Sequence, residues 1–334
     1  MLCFIKKYLG IVLLAAILSA CQALNARTDP ELAPFYGRNW GNLANSKPVY
    51  DKDFPDPDLI RAEDGTYYAF ATIAMGHNIQ AASSKDLLNW TSLDDALPSV
   101  PPWALKGDTW APDVTQAPDG NGYLMYFVAH SRKGHQCIGV AHSSRPAGPF
   151  TSDAQESLIC QASEGGSIDP AYFQDVDGKN YLLWKNDGNS QGLPTWLYIQ
   201  MLGPDGQSMV GDPVRLITTS LPWEGDLVEA PTLFYKDHRY YLFYSASAYY
   251  DERYAVGVAI SDQLLGPYEK RSEPFLSSNM AGSSWKGPGG QDIVIGPDGD
   301  TYLAFHGWDR FMIRRAMYLE KLYWVDGLPS MSLN

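Results

Sequence analysis

Basic side chains, cysteines and long apolar runs are all scarce in this 334-residue sequence. Lys and Arg number 25 against 38 Asp and Glu, a formal net charge of -13. So acidic a chain repels phosphate backbones and anionic headgroups, which excludes nucleic acid as a partner; the simplest use of the acidity is to keep an exported protein soluble. Beyond residue 20 no apolar stretch is long enough to cross a bilayer as a helix. Long helices are not indicated either, because 13% aromatics, 30 Gly and 23 Pro favour many short strands joined by tight turns.

The N-terminus is the exception. Lys6 and Lys7 precede an apolar run from Ile11 to Ala20, too short to span a bilayer and suited to a signal-peptide core. The run ends in Leu18-Ser19-Ala20-Cys21, which resembles a bacterial lipobox. That resemblance implies a lipoprotein signal peptide over residues 1–20 and a lipid on Cys21 that anchors the chain to a membrane; an ordinary signal peptide with a chance cysteine is the alternative. Gln22, rather than Asp, after the cysteine implies the outer membrane or periplasm of a bacterial cell. Residues 21–46 lack hydrophobic alternation and read as a lipidated tether ahead of one domain over residues 47–334. Of four cysteines, Cys137 and Cys160 then remain. In an exported chain they suit a disulfide tying two strands of one sheet, with two buried thiols as the alternative.

What is present is a repeat. Five segments place an Asp, usually followed by Gly, four residues ahead of a Tyr: Asp64/Tyr68, Asp119/Tyr123, Asp177/Tyr181, Asp237/Tyr241 and Asp298/Tyr302. The tyrosines are 55, 58, 60 and 61 residues apart, and hydrophobic stretches flank each turn. Each segment reads as a β-hairpin whose turn residues supply the positive φ it needs. Outer elements recur too, as Ser143-Ser144 before Gly148-Pro149-Phe150 and Ser261-Asp262 before Gly266-Pro267-Tyr268. A unit of about 58 residues is the size of a four-stranded propeller blade. The expectation is an all-β fold, a single five-bladed β-propeller acting as a monomer.

In a propeller each inner strand starts at one mouth of the central channel, so equivalent positions converge on the axis. Twelve residues ahead of the repeat tyrosine lie Asp56, Asp169 and Glu229, with Gly290 at that count in the fifth unit; Asp113 lies ten ahead of Tyr123. Three carboxyls at one mouth repel one another and raise at least one pKa, a costly arrangement for stability alone. Hydrolysis of a glycosidic bond gives a reason for it. One protonated carboxyl donates to the leaving oxygen, and one ionised carboxylate activates water or attacks the sugar. Each acid stands close before a proline (Asp56-Pro57, Asp169-Pro170, Glu229-Ala230-Pro231). Since Asp-Pro also opens ordinary turns, it is the shared phase that points to catalysis.

Together these motifs resemble glycoside hydrolase family 43 from about Pro48 to Pro329. They are Pro55-Asp56-Pro57-Asp58, Thr109-Trp110-Ala111-Pro112-Asp113, Ile168-Asp169-Pro170, Val228-Glu229-Ala230-Pro231, and Gly287-Pro288-Gly289-Gly290 leading to Phe305-His306. The resemblance implies an inverting enzyme with Asp56 as general base, Glu229 as general acid of raised pKa, and Asp169 as its modulator and orienter. It implies no cofactor for the chemistry and a structural calcium in the central channel held by His306. Gly290 stands where relatives often carry a second histidine, and a plain hydrogen-bonding role for His306 is the alternative.

Trp110, Asp113, Trp223 and Trp285 are candidates for substrate contact, with core packing the other reading of each tryptophan. Lys185, Asp187 and Asn189 read as a solvated polar turn. The expected substrate is an oligosaccharide or plant polysaccharide side chain, cut by an α-L-arabinofuranosidase or arabinanase-type enzyme, with a β-xylosidase close behind. The absence of Asn-Asp-Pro-Asn argues against a fructan hydrolase. The three acids in phase argue against a non-catalytic glycan-binding propeller.

Overall fold

Alternating side chains punctuated by tight turns build the blades. The computed structural model describes residues 30, 32–282 and 284–332, so Cys21 and the signal segment lie outside the described residues. Blade 1 is β1 (Asp58–Arg61), β2 (Tyr67–Ala71), β3 (Gln80–Ser84) and β4 (Thr91–Ser92). Blade 2 is β5 (Ala104–Gln116), β6 (Tyr123–Ser131) and β7 (Gln136–Ser143). Blade 3 follows as β8 (Ser167–Gln174), β9 (Asn180–Asn186), β10 (Trp196–Leu202) and β11 (Met209–Thr218). Blade 4 is β12 (Val228–Lys236), β13 (Arg239–Ala246), β14 (Ala255–Ser261) and β15 (Glu269–Lys270). Blade 5 is β16 (Lys286–Ile295), β17 (Thr301–Trp308) and β18 (Arg315–Lys321), and a last hairpin pairs β19 (Tyr323–Val325) with β20 (Leu328–Ser330). Each blade is an antiparallel meander in chain order, so the fold is the expected five-bladed propeller.

The repeat Asp-Gly turns close four of the inner hairpins, with Gly65 at φ 80° and Gly299 at φ 83°. In blade 4 the turn is only Asp237-His238, at φ 49° and 65°, between the paired Lys236 and Arg239. The second strand of every blade is buried along nearly its whole length, since blades pack against it on both sides. The core is accordingly divided among the blade interfaces. Tyr67 and Ala69 of blade 1 pack with Tyr302 and Leu319 of blade 5, and Leu183 of blade 3 packs with Leu242 of blade 4.

The ring is closed by the segment just ahead of blade 1. Tyr50 forms an antiparallel bridge with Met317, adding an outer edge to blade 5. Residues 32–46 correct the tether expectation. They carry helix α1 (Ala33–Tyr36), and Phe35 is wholly buried against Trp40 and Tyr302. Two aromatics spaced along a Gly- and Asn-rich segment suffice to pin it to the blade 5–blade 1 seam, without the alternation that marks a strand. Cys137 in β7 and Cys160 form a disulfide with Cα atoms 4.7 Å apart. Cys160 follows Ile159, which bridges Ile138, so the bond fastens an outer segment to the free edge of blade 2.

Candidate active site

Four inner strands, β5, β8, β12 and β16, are each broken by a bulge at the same place. Trp110, Ile168, Glu229 and Gly289 pair with Val128, Lys185, Ser245 and His306; pairing resumes three residues on, at Asp113, Ala171, Thr232 and Asp292. The first skipped residue has positive φ in every case: Ala111 (39°), Asp169 (54°), Ala230 (48°) and Gly290 (54°). Asp56, at φ 54°, stands in the same relation to Asp58 in blade 1. Left-handed backbone at a non-glycine residue costs about 1–3 kcal/mol and is a feature of functional sites. Here it turns the bulge side chains toward the channel mouth.

The three acids do meet at one mouth, but not at one position. Asp56 and Asp169 are the left-handed bulge residues, whereas in blade 4 that place belongs to Ala230 and Glu229 stands one residue earlier. The equal count of twelve misleads because hairpin lengths differ. Tyr68 pairs with Ile60 and Tyr181 with Phe173, eight back, but Tyr241 pairs with Phe234, seven back.

Each acid has its own surroundings. Asp56 accepts the Thr72 hydroxyl at 2.6 Å and lies 3.3 Å from His306 Nδ1, which also accepts the Asp56 backbone N–H at 3.1 Å. Burial opposes its charge, but the contact with His306, the charges of His306 and Arg315 and the Thr72 hydrogen bond hold its pKa well below the usual carboxylate range. Glu229 accepts the Tyr254 hydroxyl at 2.8 Å on Oε1 and Lys185 Nζ at 2.9 Å on Oε2. Lys185 is buried, and its pairing with Glu229 outweighs the desolvation of its ammonium, so its pKa is raised. Asp169 accepts the Ala230 N–H at 2.9 Å, which orients the bulge next to Glu229. Burial, then the charges of Glu229 and Asp56, push its pKa up to about 8 despite Lys185. At neutral pH Asp169 therefore keeps its proton.

A second set of carboxyls lies deeper, where pairing resumes. Asp58 accepts the Val114 N–H and Asp292 accepts the Leu59 N–H, both at 2.9 Å, and Asp113 accepts the Tyr172 N–H. Each thereby stitches its blade to the next. In blade 4 Thr232 does the same by donating to the Gln291 carbonyl, 2.7 Å away. Blade 3 has only Ala171 at this level, and its stitch to blade 4 is made by Asp169. Burial raises all three deep carboxyls, with mutual repulsion adding for Asp58 and Asp113; Asp292 reaches about 7. The channel between the two levels has about 40 Å³ of free space, room for water but not for a sugar ring. Substrate must sit on the mouth.

The remaining candidates disperse. Trp110 holds in blade 2 the position that Glu229 holds in blade 4, half-buried at the mouth. Asp113 lies in the deeper set, held to Tyr172. Trp223 stacks on Tyr244 in blade 4 with centroids 6.0 Å apart. Trp285 is core: 1% exposed, it packs edge-on to Phe305 and Tyr318 and offers no face to a sugar. Lys185 is likewise no solvated turn residue, because its side chain reaches 44 positions along the sequence to Glu229.

His306 is wholly buried and parallel to Tyr254 at 5.8 Å, and burial lowers its pKa. Its Nε2 has no hydrogen-bond partner, yet among the described residues no group of three or more His, Cys, Asp or Glu is placed to hold a metal ion. Gly290 explains the missing second histidine: a Cβ there would lie 2.6 Å from Asp56 Oδ1 and 2.7 Å from His306 Nδ1. Thr72, Lys185, Tyr254 and Arg315 escaped sequence reasoning. Each comes from a different strand or loop than the acid it serves, which leaves no local pattern.

Comparison with known proteins agrees with this geometry. Residues 45–329 match Glycosyl hydrolases family 43. A β-D-galactofuranosidase of Aspergillus niger is 30% identical over 282 residues, covering 79% of this chain and 77% of that protein. An extracellular endo-α-(1→5)-L-arabinanase of Bacillus subtilis is 27% identical, covering 82% and 86%. The crystal structure of a thermostable family-43 glycoside hydrolase, 28% identical, superposes with a TM-score of 0.77 over 85% of this chain and 95% of the other.

Proposed function

The chain belongs to glycosyl hydrolase family 43, and from that premise we propose an inverting α-L-arabinofuranosidase or arabinanase-type enzyme acting on plant polysaccharide side chains. The observation that carries this reading is the division of labour among three convergent carboxyls. Asp56 is held ionised beside Thr72 and Arg315, as a base must be. Asp169, raised to about 8 by burial and by the charge of Glu229, keeps a proton at neutral pH that an acid can draw on. In the proposed reaction Asp56 removes a proton from water as the water oxygen bonds to the anomeric carbon. Glu229 delivers the proton of the pair to the glycosidic oxygen as the C–O bond breaks. Asp169 orients Glu229 through the Ala230 N–H and hands it the proton.

The furanoside preference is favoured by two relatives whose names specify furanosides, the galactofuranosidase and an exo-α-(1→5)-L-arabinofuranosidase of Cellvibrio japonicus, 28% identical. A β-xylosidase is the second reading, favoured by relatives such as the β-xylosidase of Bacillus subtilis, 27% identical. The three carboxyls supply base, acid and orientation, so the reaction as proposed needs no cofactor. Were a structural calcium held in the channel, His306 is the residue whose unpartnered Nε2 could serve it. Export as a lipoprotein anchored through Cys21 completes the reading, in keeping with the extracellular arabinanase.

Screening the purified enzyme on aryl α-L-arabinofuranoside, aryl β-D-xyloside and linear arabinan tests the proposal. Turnover of the arabinofuranoside, lost by about 10³-fold or more in Glu229→Gln, is expected. No turnover of any of the three, or an unchanged Glu229→Gln, would overturn it.

A further inference from the structure

Of the chain's 43 aromatic residues (21 Tyr, 12 Phe, 10 Trp), only Tyr249, Tyr250 and Phe311 are exposed among the described ones. All three sit on two neighbouring loops at the catalytic mouth. One loop joins β13 to β14, the other joins β17 to β18, and Trp308 Nε1 locks them together by donating to the Tyr249 carbonyl at 2.7 Å. The Arg315 guanidinium lies over both the Tyr249 ring (4.9 Å) and the Trp308 ring (5.4 Å), while its charge acts on Asp56. Tyr250 stands edge-on to Tyr249 at 5.4 Å. The first loop ends in Tyr254, the hydrogen-bond donor to Glu229. In the second, Asp309 accepts the N–H groups of Phe311 and Ile313, which fixes a tight loop with Phe311 65% and Ile313 75% exposed.

Apolar surface gathered at one place and left in water marks a binding surface. Aromatic faces are the usual partners of the C–H faces of sugars, and no other exposed aromatic stands elsewhere on the mouth among the described residues. Residues 248–254 and 309–314 together hold three acids and three bases, so the patch has no net charge in a chain of net charge -13 and suits a neutral ligand. We infer that Tyr249, Tyr250 and Phe311 form a stacking platform for the neutral glycan chain that runs on from the bond being cut. This rests on the glycosidase reading, because the platform is continuous with the catalytic acids through Arg315 and Tyr254. It makes these residues determinants of chain-length preference.

The test uses full-length Glu229→Gln protein titrated with α-(1→5)-arabinohexaose and with xylohexaose, followed by calorimetry and by tryptophan fluorescence, since Trp308 lies beneath the platform. Adding Tyr250→Ala and Phe311→Ala together should weaken hexasaccharide binding by about tenfold. In the active enzyme the same pair should flatten the rise of kcat/KM from di- to hexasaccharide, with matching melting curves as the folding control. Unchanged affinity and an unchanged slope would overturn the inference. So would a parent dimer that the double variant splits without touching sugar affinity, since the patch would then be a subunit contact. If the parent hydrolyses neither sugar, the glycosidase reading fails while the titration still decides the platform.

Discussion

Two sets of three carboxyls line one channel, and they differ in what their hydrogen bonds are made to. In the deeper set Asp58, Asp113 and Asp292 each accept a backbone N–H of the next blade, so each carboxyl is a seam between blades. In the mouth set the partners are mostly side chains: Thr72 on Asp56, Lys185 and Tyr254 on Glu229. Backbone partners fix a carboxyl in place. Side-chain partners tune it one at a time, and only the mouth set is spread from a depressed Asp56 to an Asp169 near 8. Asp169 belongs to both kinds, a seam to Ala230 and a carboxyl that the neighbouring Glu229 charge pushes up.

The sharpest way to break this contrast is to remove one charge from each set. Asp56→Asn should lower kcat/KM by about 10³-fold or more, whereas Asp292→Asn, whose amide oxygen can still accept the Leu59 N–H, should change it by less than about threefold. Comparable losses in steady-state assays would erase the distinction. Next in size is Lys185→Met, which removes the ammonium from Glu229 inside the protein. A loss of about 10²-fold in kcat and about 3–5 kcal/mol of stability in urea melts is expected from breaking a buried pair.

Asp169→Asn keeps an acceptor for the Ala230 N–H but deletes the group that titrates near 8. The parent's kcat should fall as pH rises through about 8, because Asp169 then loses its proton; the variant should lose that limb and about tenfold in kcat. The smallest effect is on stability. A carboxyl whose folded pKa is raised holds a proton that the unfolded chain gives up near pH 4, so stability falls as pH rises from there toward the folded value. For Asp292 that window runs from about 4 to about 7. Asp292→Asn should therefore raise Tm by about 5 °C at pH 8 and leave it unchanged at pH 3.5.

The repeat made the blades legible, because Asp-Gly turns and buried tyrosines recur where the geometry demands them. It also revealed the acids. It could not reveal that Glu229 is one residue out of step, since that depends on the two-residue turn at Asp237-His238. Lys185 was hidden because its partner is in another blade. Trp285 and Phe311 were hidden for a shared reason: an aromatic residue reads the same in a core and on a rim, and only packing assigned the first to the blade 5 interior and the second to water. Phe35 likewise turned a supposed tether into part of the blade 5–blade 1 seam.

The central claim is that Asp56 activates water on one side of the sugar while the Asp169–Glu229 pair protonates the leaving oxygen on the other. Proton NMR of the first sugar released from an aryl α-L-arabinofuranoside tests it most directly. The account predicts that the β anomer forms first and then mutarotates. Initial release of the α anomer would mean a covalent intermediate, and would contradict the role of Asp56 as the base that activates water.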